Sequence, residues 1–237
     1  MKITMLSLSS LLASIMLLAA AQSVAAVSPP NPAVSNCKAQ ADRIDAMHVT
    51  PANLADYKKA HSSKTFVDVD FLQIGPNSVP VLTMPRLGRG PGPDDATLIV
   101  LLHNKAASTS ETPVVDAICH DQNHSFAIDN AKDSITFATD DYERLYLRFR
   151  LDSVTLPKTE WVDPPNSVDM VPDPPSPASK QRWCDDGKYK DVGVKGTDMW
   201  FTMCKNFGAA HRYKYTLYLT VNGKPFSIDP IIIHEPQ

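Results

Sequence analysis

Hydrophobic and polar residues alternate along most of the chain after about position 66. Eight segments combine this two-residue period with the length of a β-strand, and turn-forming Pro, Gly, Asn or Asp residues separate them. The segments are 66–74, 79–84, 96–103, 114–119, 134–138, 145–154, 199–203 and 213–221. Many short strands with few helices between them favour antiparallel pairing. The pattern therefore predicts an all-β fold, specifically an antiparallel β-sandwich.

The region before these strands has features of helices instead. Thr50 can cap a helix that has Pro51 at its first position, and residues 52–60 can supply its turns. A second helix is expected over 38–47. The sandwich should therefore carry a short helical N-terminal segment.

The last predicted strand ends in the clearest turn signal of the chain. Asn222-Gly223 is a dipeptide preferred in type I′ turns, because both central residues need a positive φ. Pairing Val221 with Lys224 brings the hydrophobic side chains of the two strands to one face. Pro225 then occupies a non-hydrogen-bonded site, which predicts an edge strand or a bulge. An open edge allows self-association through this C-terminal strand.

Two segments are rich in residues that disfavour regular structure. Residues 86–95 alternate glycine with arginine and proline, and residues 157–177 hold seven of the 20 prolines. Because proline lacks the N–H that a β-ladder needs, both are predicted to be exposed loops. Trp161, Trp183 and Trp200 are typical of core packing or disulfide shielding, with a contact role as the alternative for Trp161 among its prolines. The residues after this loop contain too few strands for a second core, so 27–237 are expected to form one domain.

The first 26 residues are organised like a secretory signal peptide. Lys2 supplies the positive charge, residues 6–21 are hydrophobic, and small residues at 24–26 fit cleavage before Val27. The hydrophobic stretch is shorter than the ~20 residues that span a membrane. We therefore expect a secreted or periplasmic protein without a transmembrane anchor.

Composition and charge narrow the class of protein. The chain is 43% hydrophobic and 21% charged, which is close to ordinary globular domains and excludes general disorder, collagen and coiled coil. Its net charge is −3, and loss of Lys2 with the signal peptide makes it more negative. Nucleic acid is therefore not an expected partner.

The four cysteines suit an oxidising compartment. An even number of cysteines in an exported protein favours two disulfides, for which three connectivities exist. We prefer the pairs Cys37 with Cys119 and Cys184 with Cys204. Zinc is the alternative, but no C-x-x-C or H-x-x-x-H ligand set accompanies the cysteines in the spacing usual for zinc sites. We expect no cofactor.

Two predicted strands carry many basic and tyrosine residues on their polar faces. These residues are Tyr142, Arg144, Tyr146, Arg148 and Arg150 near the sixth strand segment, and Arg212, Lys214 and Tyr218 near the last. If both strands share a sheet, the side chains form one basic, tyrosine-lined patch. Arginine binds carboxylate or sulfate with two parallel hydrogen bonds, and tyrosine rings stack on sugars. Such a patch suits an anionic glycan, a lipid headgroup or an acidic protein partner. The alternative is a solvated face on which cross-strand aspartates pair with the arginines.

Residues 119–124 contain the densest group of possible ligands and bases. His120, Asp121 and His124 could serve a small hydrolase or a metalloprotein. Two histidines four residues apart share a face only on a helix, whereas the residues around His124 are typical of a turn. Neither an H-E-x-x-H nor a G-x-S-x-G motif is present in the sequence.

These observations lead to two competing hypotheses. The first is an exported, non-enzymatic β-sandwich that binds a ligand or protein partner through the tyrosine and arginine face or the Pro-rich loop. The second is a small secreted hydrolase or metalloprotein, which requires His120, Asp121 and His124 to converge in a concave pocket.

Overall fold

A computed structural model describes most of the chain as two helices followed by fourteen strands. The described residues are 32–61, 68–85, 87, 95–105, 110–122, 126–131, 134–137, 144–172, 190–204, 212–229 and 232–234. The helices are α1 (Pro32–Ala46) and α2 (Leu54–Ala60). The strands are β1 (Asp68–Ile74), β2 (Asn77–Met84), β3 (Asp95–Asn104), β4 (Pro113–Asp121), β5 (Phe126–Asp129), β6 (Ser134–Phe137), β7 (Arg144–Leu151), β8 (Thr159–Trp161), β9 (Val168–Pro172), β10 (Lys190–Lys195), β11 (Asp198–Cys204), β12 (Arg212–Val221), β13 (Lys224–Ile228) and β14 (Ile232–His234). The predicted signal peptide lies outside these residues.

The predicted mainly β fold with a short helical N-terminal segment is confirmed. Each of the eight predicted strand segments overlaps an observed strand. The helix boundaries differ, because α1 begins at Pro32 and α2 begins only at Leu54. Pro51 instead lies in a turn, in which the Asn53 side chain accepts a hydrogen bond from the backbone N–H of Thr50 at 2.7 Å.

The strands form two sheets. Sheet A has the order β1-β2-β4-β3-β7-β11-β10, and sheet B has the order β13-β12-β14-β6-β5, with β8 and β9 also paired to β12. Most pairs are antiparallel, as expected, but β2–β4, β3–β7 and β14–β6 are parallel. The parallel pairs join strands that are not consecutive in the chain, so no tight hairpin constrains their direction. Both sheets are therefore mixed.

One hydrophobic core is built from side chains of both sheets. Phe149 of β7 and Phe201 of β11 come from sheet A, whereas Tyr215 of β12 comes from sheet B. The ring centroid of Tyr215 lies 5.5 Å from that of Phe149 and 6.1 Å from that of Phe201, both edge to face. This geometry is favourable for aromatic pairs and ties the two sheets together.

The opposite face of sheet A is covered by helix α1. On β3, Leu98 and Val100 belong to the shared core, whereas Ile99 and Leu101 belong to a second cluster. This division follows the alternation of side chains along a strand. Helix α1 completes the second cluster with Val34, Cys37, Ala41 and Ile44, which recur at helical spacing. The centre of sheet A is therefore buried on both faces.

A disulfide links this helix to the sheet. Cys37 of α1 bonds to Cys119 of β4, with 5.9 Å between the Cα atoms, and both residues are fully buried. This confirms one of the two predicted pairs. Cys184 and the side chain of Cys204 lie outside the described residues, so the second pair stays a prediction.

The C-terminal hairpin has the predicted register. Val221 pairs with Lys224, and the turn residues Asn222 and Gly223 have φ angles of 53° and 72°. Strand β13 pairs only with β12 in the part of the chain that the structure describes, so it is the predicted edge strand. After it, β14 returns to the start of β12 and takes β6 as a parallel partner.

The Pro-rich segment 157–177 is more regular than predicted. It contains β8 and β9, which both pair with β12, so the expectation of an exposed loop is wrong for these strands. The prolines at 157, 164, 165 and 172 lie outside the strands or at a strand end, where no ladder N–H is lost. Trp161 is only 6% exposed and donates its indole N–H to the carbonyl of Thr197 at 2.9 Å. It is therefore a packing residue, the usual role stated above, and the alternative of a contact residue is wrong.

Candidate functional site

The two strands of the predicted tyrosine and arginine patch lie in different sheets. Strand β7 is in sheet A and β12 is in sheet B. On each strand the polar side chains face away from the shared core, because their neighbours Phe149 and Leu217 point into it. The condition for one continuous patch is therefore not met: Arg148 and Arg150 of β7 lie on a different outward face from Lys214 and Tyr218 of β12.

Several of the predicted binding residues are already engaged or buried. Arg150 forms an ion pair with Asp198 of the neighbouring strand, with Nη1 and Oδ2 2.7 Å apart. Lys214 pairs with Asp229, with Nζ and Oδ2 3.0 Å apart. Tyr146 is only 8% exposed. Arg150 therefore fits the alternative stated above, in which the arginines pair with aspartates on the neighbouring strand.

Tyr218 differs from these residues because it borders a groove. Tyr218 lies on the outward face of β12 and lines an open groove of about 500 Å³ with Val168 and Asp169. Tyr142 and the side chains of Arg144 and Arg212 lie outside the described residues, so their assignment as binding residues stays a prediction.

The Lys214–Asp229 ion pair on sheet B is accompanied by a hydrogen bond from Thr216 to the same carboxylate. The partial burial of Asp229 alone would raise the carboxyl pKa, but hydrogen bonds from Thr216 and Lys214 outweigh this and lower the pKa. The Thr216 hydroxyl donates to Asp229 Oδ1 at 2.6 Å. Lys214 is therefore already paired with a neighbouring carboxylate.

Arg148 has a different environment. It lies directly opposite Trp200 in the β7–β11 register, and Trp200 in turn lies opposite Gly193 of β10. Any side chain at position 193 would overlap the Trp200 ring, so the glycine leaves room for the ring on the sheet. No carboxylate pairs with Arg148 among the residues that the structure describes. We call Arg148, Trp200 and Gly193 the Arg148–Trp200 face.

The second candidate group, His120, Asp121 and His124, is not shown to converge. Asp121 follows His120 on β4 and therefore points to the opposite face of the sheet. Its Oδ2 accepts the backbone N–H of Thr97 at 3.1 Å. His124 lies outside the described residues. Within the described ranges, no three His, Cys, Asp or Glu side chains are grouped closely enough to hold a metal ion.

His120 instead contacts Thr83, which the sequence analysis did not identify as a candidate residue. Its Nε2 lies 2.9 Å from the hydroxyl oxygen of Thr83, and its Nδ1 lies 2.9 Å from the backbone carbonyl of Asp121. Thr83 and His120 are register partners in the parallel β2–β4 pair. No sequence motif indicates this contact, because Thr83 and His120 are 37 residues apart and lie on different strands.

Both side chains line a cavity of about 660 Å³, which we call the His120 cavity. They lie on the face of sheet A that carries the shared core, as do Val81 and Ile118 beside them. The other polar residues of the lining are Asp68, Asp70, Gln73, Ser78 and Asn130. Burial lowers the pKa of His120, although the nearby Asp121, Asp70 and Asp68 oppose this effect. The imidazole is therefore neutral at neutral pH.

No protein-family model matches the chain, and no curated protein matches it in sequence.

Proposed function

We propose that this is an exported binding protein that takes an anionic glycan on the Arg148–Trp200 face. The observation that carries the proposal is the direct register pairing of Arg148 with Trp200, next to a glycine that makes room for the ring. Both side chains are half-buried and lie on the outward face of sheet A.

The two side chains suit two parts of such a ligand. The planar guanidinium of Arg148 can form paired hydrogen bonds to a carboxylate or sulfate. The flat ring of Trp200 offers a hydrophobic surface to a sugar ring, as aromatic residues do at many binding sites. Because both residues lie on adjacent strands, the sheet fixes the spacing of their backbone positions before the ligand arrives, which lowers the entropy cost of binding.

Export is the second part of the proposal. The first 26 residues have signal-peptide features, and the Cys37–Cys119 disulfide is typical of oxidising compartments. Within the described residues, no helix has both the length and the hydrophobicity needed to cross a bilayer.

The competing hydrolase or metalloprotein with His120, Asp121 and His124 has less support. The Asp121 carboxylate binds the backbone of Thr97 on the opposite face from His120. An assembly of all three residues would therefore need a different arrangement of β4.

The test is a binding titration with heparin, with uncharged dextran as the reference ligand. We expect wild-type protein to bind heparin, and Arg148→Ala and Trp200→Ala each to weaken binding about tenfold or more, the loss typical of one charge-assisted or aromatic contact. Binding should also weaken at high salt, because an exposed arginine is screened.

Lys224→Ala is the matched control, because it removes one exposed positive charge from β13 in the other sheet. It should leave heparin affinity unchanged. Equal losses for Lys224→Ala and Arg148→Ala, or binding only to anionic lipid vesicles, would contradict the proposed glycan site.

A further inference from the structure

We propose that Thr83 and His120 form a hydroxyl–imidazole dyad that transfers acyl groups from small esters bound in the His120 cavity. Thr83 is the nucleophile and His120 is the general base. The dyad lies on the opposite face of sheet A from the Arg148–Trp200 face, so it is a second site, independent of glycan binding.

The hydrogen bonds determine which nitrogen of His120 acts as the base. A backbone carbonyl can only accept, so Nδ1, 2.9 Å from the carbonyl oxygen of Asp121, must carry the proton. In the neutral ring Nε2 is then an acceptor, and the Thr83 hydroxyl, 2.9 Å away, donates to it. A hydroxyl that donates to a base, with the base oriented by a third group, is the arrangement that activates nucleophiles.

The charge state of the ring agrees with this role. Burial makes the imidazolium form unfavourable and lowers the pKa of His120, against the opposing carboxylates of Asp121, Asp70 and Asp68. A base that is neutral at neutral pH can accept a proton without first losing one.

The scaffold around the dyad is rigid. Thr83 and His120 face each other in a register that continues through Leu82 opposite Cys119. Cys119 is fully buried and bonded to Cys37 of helix α1, so the disulfide anchors the residue next to His120. Such restraint keeps a nucleophile and its base at a fixed distance.

The proposed reaction has two balanced steps. Thr83 Oγ1 attacks the ester carbonyl carbon while its proton moves to His120 Nε2. The new Oγ1–C bond forms, the bond to the leaving oxygen breaks, and that oxygen takes the proton from Nε2. Water then attacks the acyl-threonine, gives its proton to Nε2, and releases the carboxylic acid as the proton returns to Oγ1.

The charges of the cavity indicate the substrate class. Asp68 and Asp70 line it, and their one cationic partner among the described residues is Lys58, at 3.1 and 2.9 Å. The two carboxylates therefore leave a net negative charge, which disfavours anionic substrates. Small uncharged or cationic esters fit best.

The test uses p-nitrophenyl acetate as the ester, with two readouts: release of p-nitrophenolate, and the position of the acetyl group by peptide mass spectrometry. We expect acetylation of Thr83 in wild-type protein. Thr83→Val and His120→Gln should slow the reaction about 100-fold or more, as expected for loss of nucleophile or base. Thr83→Ser, which restores a hydroxyl, should retain the activity.

Matched controls separate the dyad from general surface reactivity. Thr220→Val removes a hydroxyl from the outward face of β12, and His61→Gln removes a histidine at the end of α2; both should react like wild type. The wild-type rate should already be at its plateau at neutral pH, because the pKa of His120 is lowered. The mono-p-nitrophenyl ester of succinate should react more slowly than the acetate.

Three outcomes would overturn the proposal: no acetyl group on Thr83, full activity of folded Thr83→Val, or faster reaction of the anionic ester. Heparin binding is measured on the same variants. Wild-type protein that binds heparin but is not acetylated on Thr83 overturns the dyad alone, and wild-type protein that is acetylated on Thr83 but does not bind heparin overturns the glycan site alone.

Discussion

The hydroxyl of Tyr215 is buried in the shared core and has no hydrogen-bond partner among the described residues. The side chain is fully buried against Phe149 and Phe201. Burial raises the pKa of Tyr215 well above its ordinary value, so the group stays a neutral phenol. A buried donor that leaves water without a new partner costs about 1–3 kcal/mol.

We expect Tyr215→Phe to raise the free energy of unfolding by about 1 kcal/mol, because the ring contacts remain and the unpaired hydroxyl is removed. Urea unfolding monitored by circular dichroism measures the change. Tyr218→Phe, on the outward face of the same strand, is the control and should have little effect. A less stable Tyr215→Phe would mean that the hydroxyl makes a stabilising contact.

For single residues, the sequence predicted the direction of a side chain better than its contact partners. The alternation along β12 correctly placed Tyr215, Leu217 and Leu219 on one face, because side-chain direction depends only on the local backbone. It could not show that the Tyr215 hydroxyl would be unpaired. Nor could it show that Thr83 would meet His120, because both depend on residues distant in sequence.

Among the elements, strand β13 lies at an edge of sheet B within the described part of the chain, where another molecule could pair with it. In the hairpin register, Pro225 and Ser227 occupy non-hydrogen-bonded sites, so their backbone nitrogens point away from β12. Pro225 has no N–H, which leaves Ser227 as the one outward donor between Lys224 and Ile228. Proline at this position is a common protection of sheet edges. Self-association through β13, predicted from the open edge, should therefore be weak in the wild type.

We expect Pro225→Thr to increase self-association, because it restores a second outward N–H to a β-compatible strand. Sedimentation velocity over a range of protein concentrations measures the effect. Adding Ser227→Pro to this variant removes the other donor and should return the protein to wild-type behaviour. An unchanged oligomeric state of Pro225→Thr would show that β13 does not control association.

Three of the strands that the sequence analysis missed share a cause. Strands β5, β8 and β9 are three to five residues long, too short for a period of two to stand out. Strands β8 and β9 also lie among prolines, and prolines predict a loop when only the local sequence is considered. Their pairing with β12 is a long-range contact, so it overrides the local signal.

For the molecule as a whole, the Cys37–Cys119 disulfide joins the helical segment to sheet A. The two cysteines are 82 residues apart in sequence. Closing a long loop removes much of the conformational freedom of the unfolded chain, and native disulfides contribute about 2–4 kcal/mol. Helix α1 also buries Val34 and Ile44 against the sheet, so the disulfide is not its sole attachment.

We expect the double variant Cys37→Ala, Cys119→Ala to lose about 2–4 kcal/mol of unfolding free energy. Because side chains of both sheets form one core, unfolding should remain a single transition, as predicted for one domain. Thermal and urea unfolding followed by two spectroscopic probes test both statements. Val154→Ala, at an 83% exposed position, is the control. Two separate transitions would contradict the single-domain prediction.

The sequence by itself determined the local features of this protein. Strand segments, the type I′ hairpin and its register follow from side-chain alternation and turn chemistry, which act within a few residues. Only the tertiary structure decided which strands share a sheet. It separated β7 from β12, which divides the predicted patch, and it paired β2 with β4, which brings Thr83 to His120. The physical reason is that sheet order depends on contacts between distant segments and on how both faces of sheet A are covered, and no local pattern contains that information.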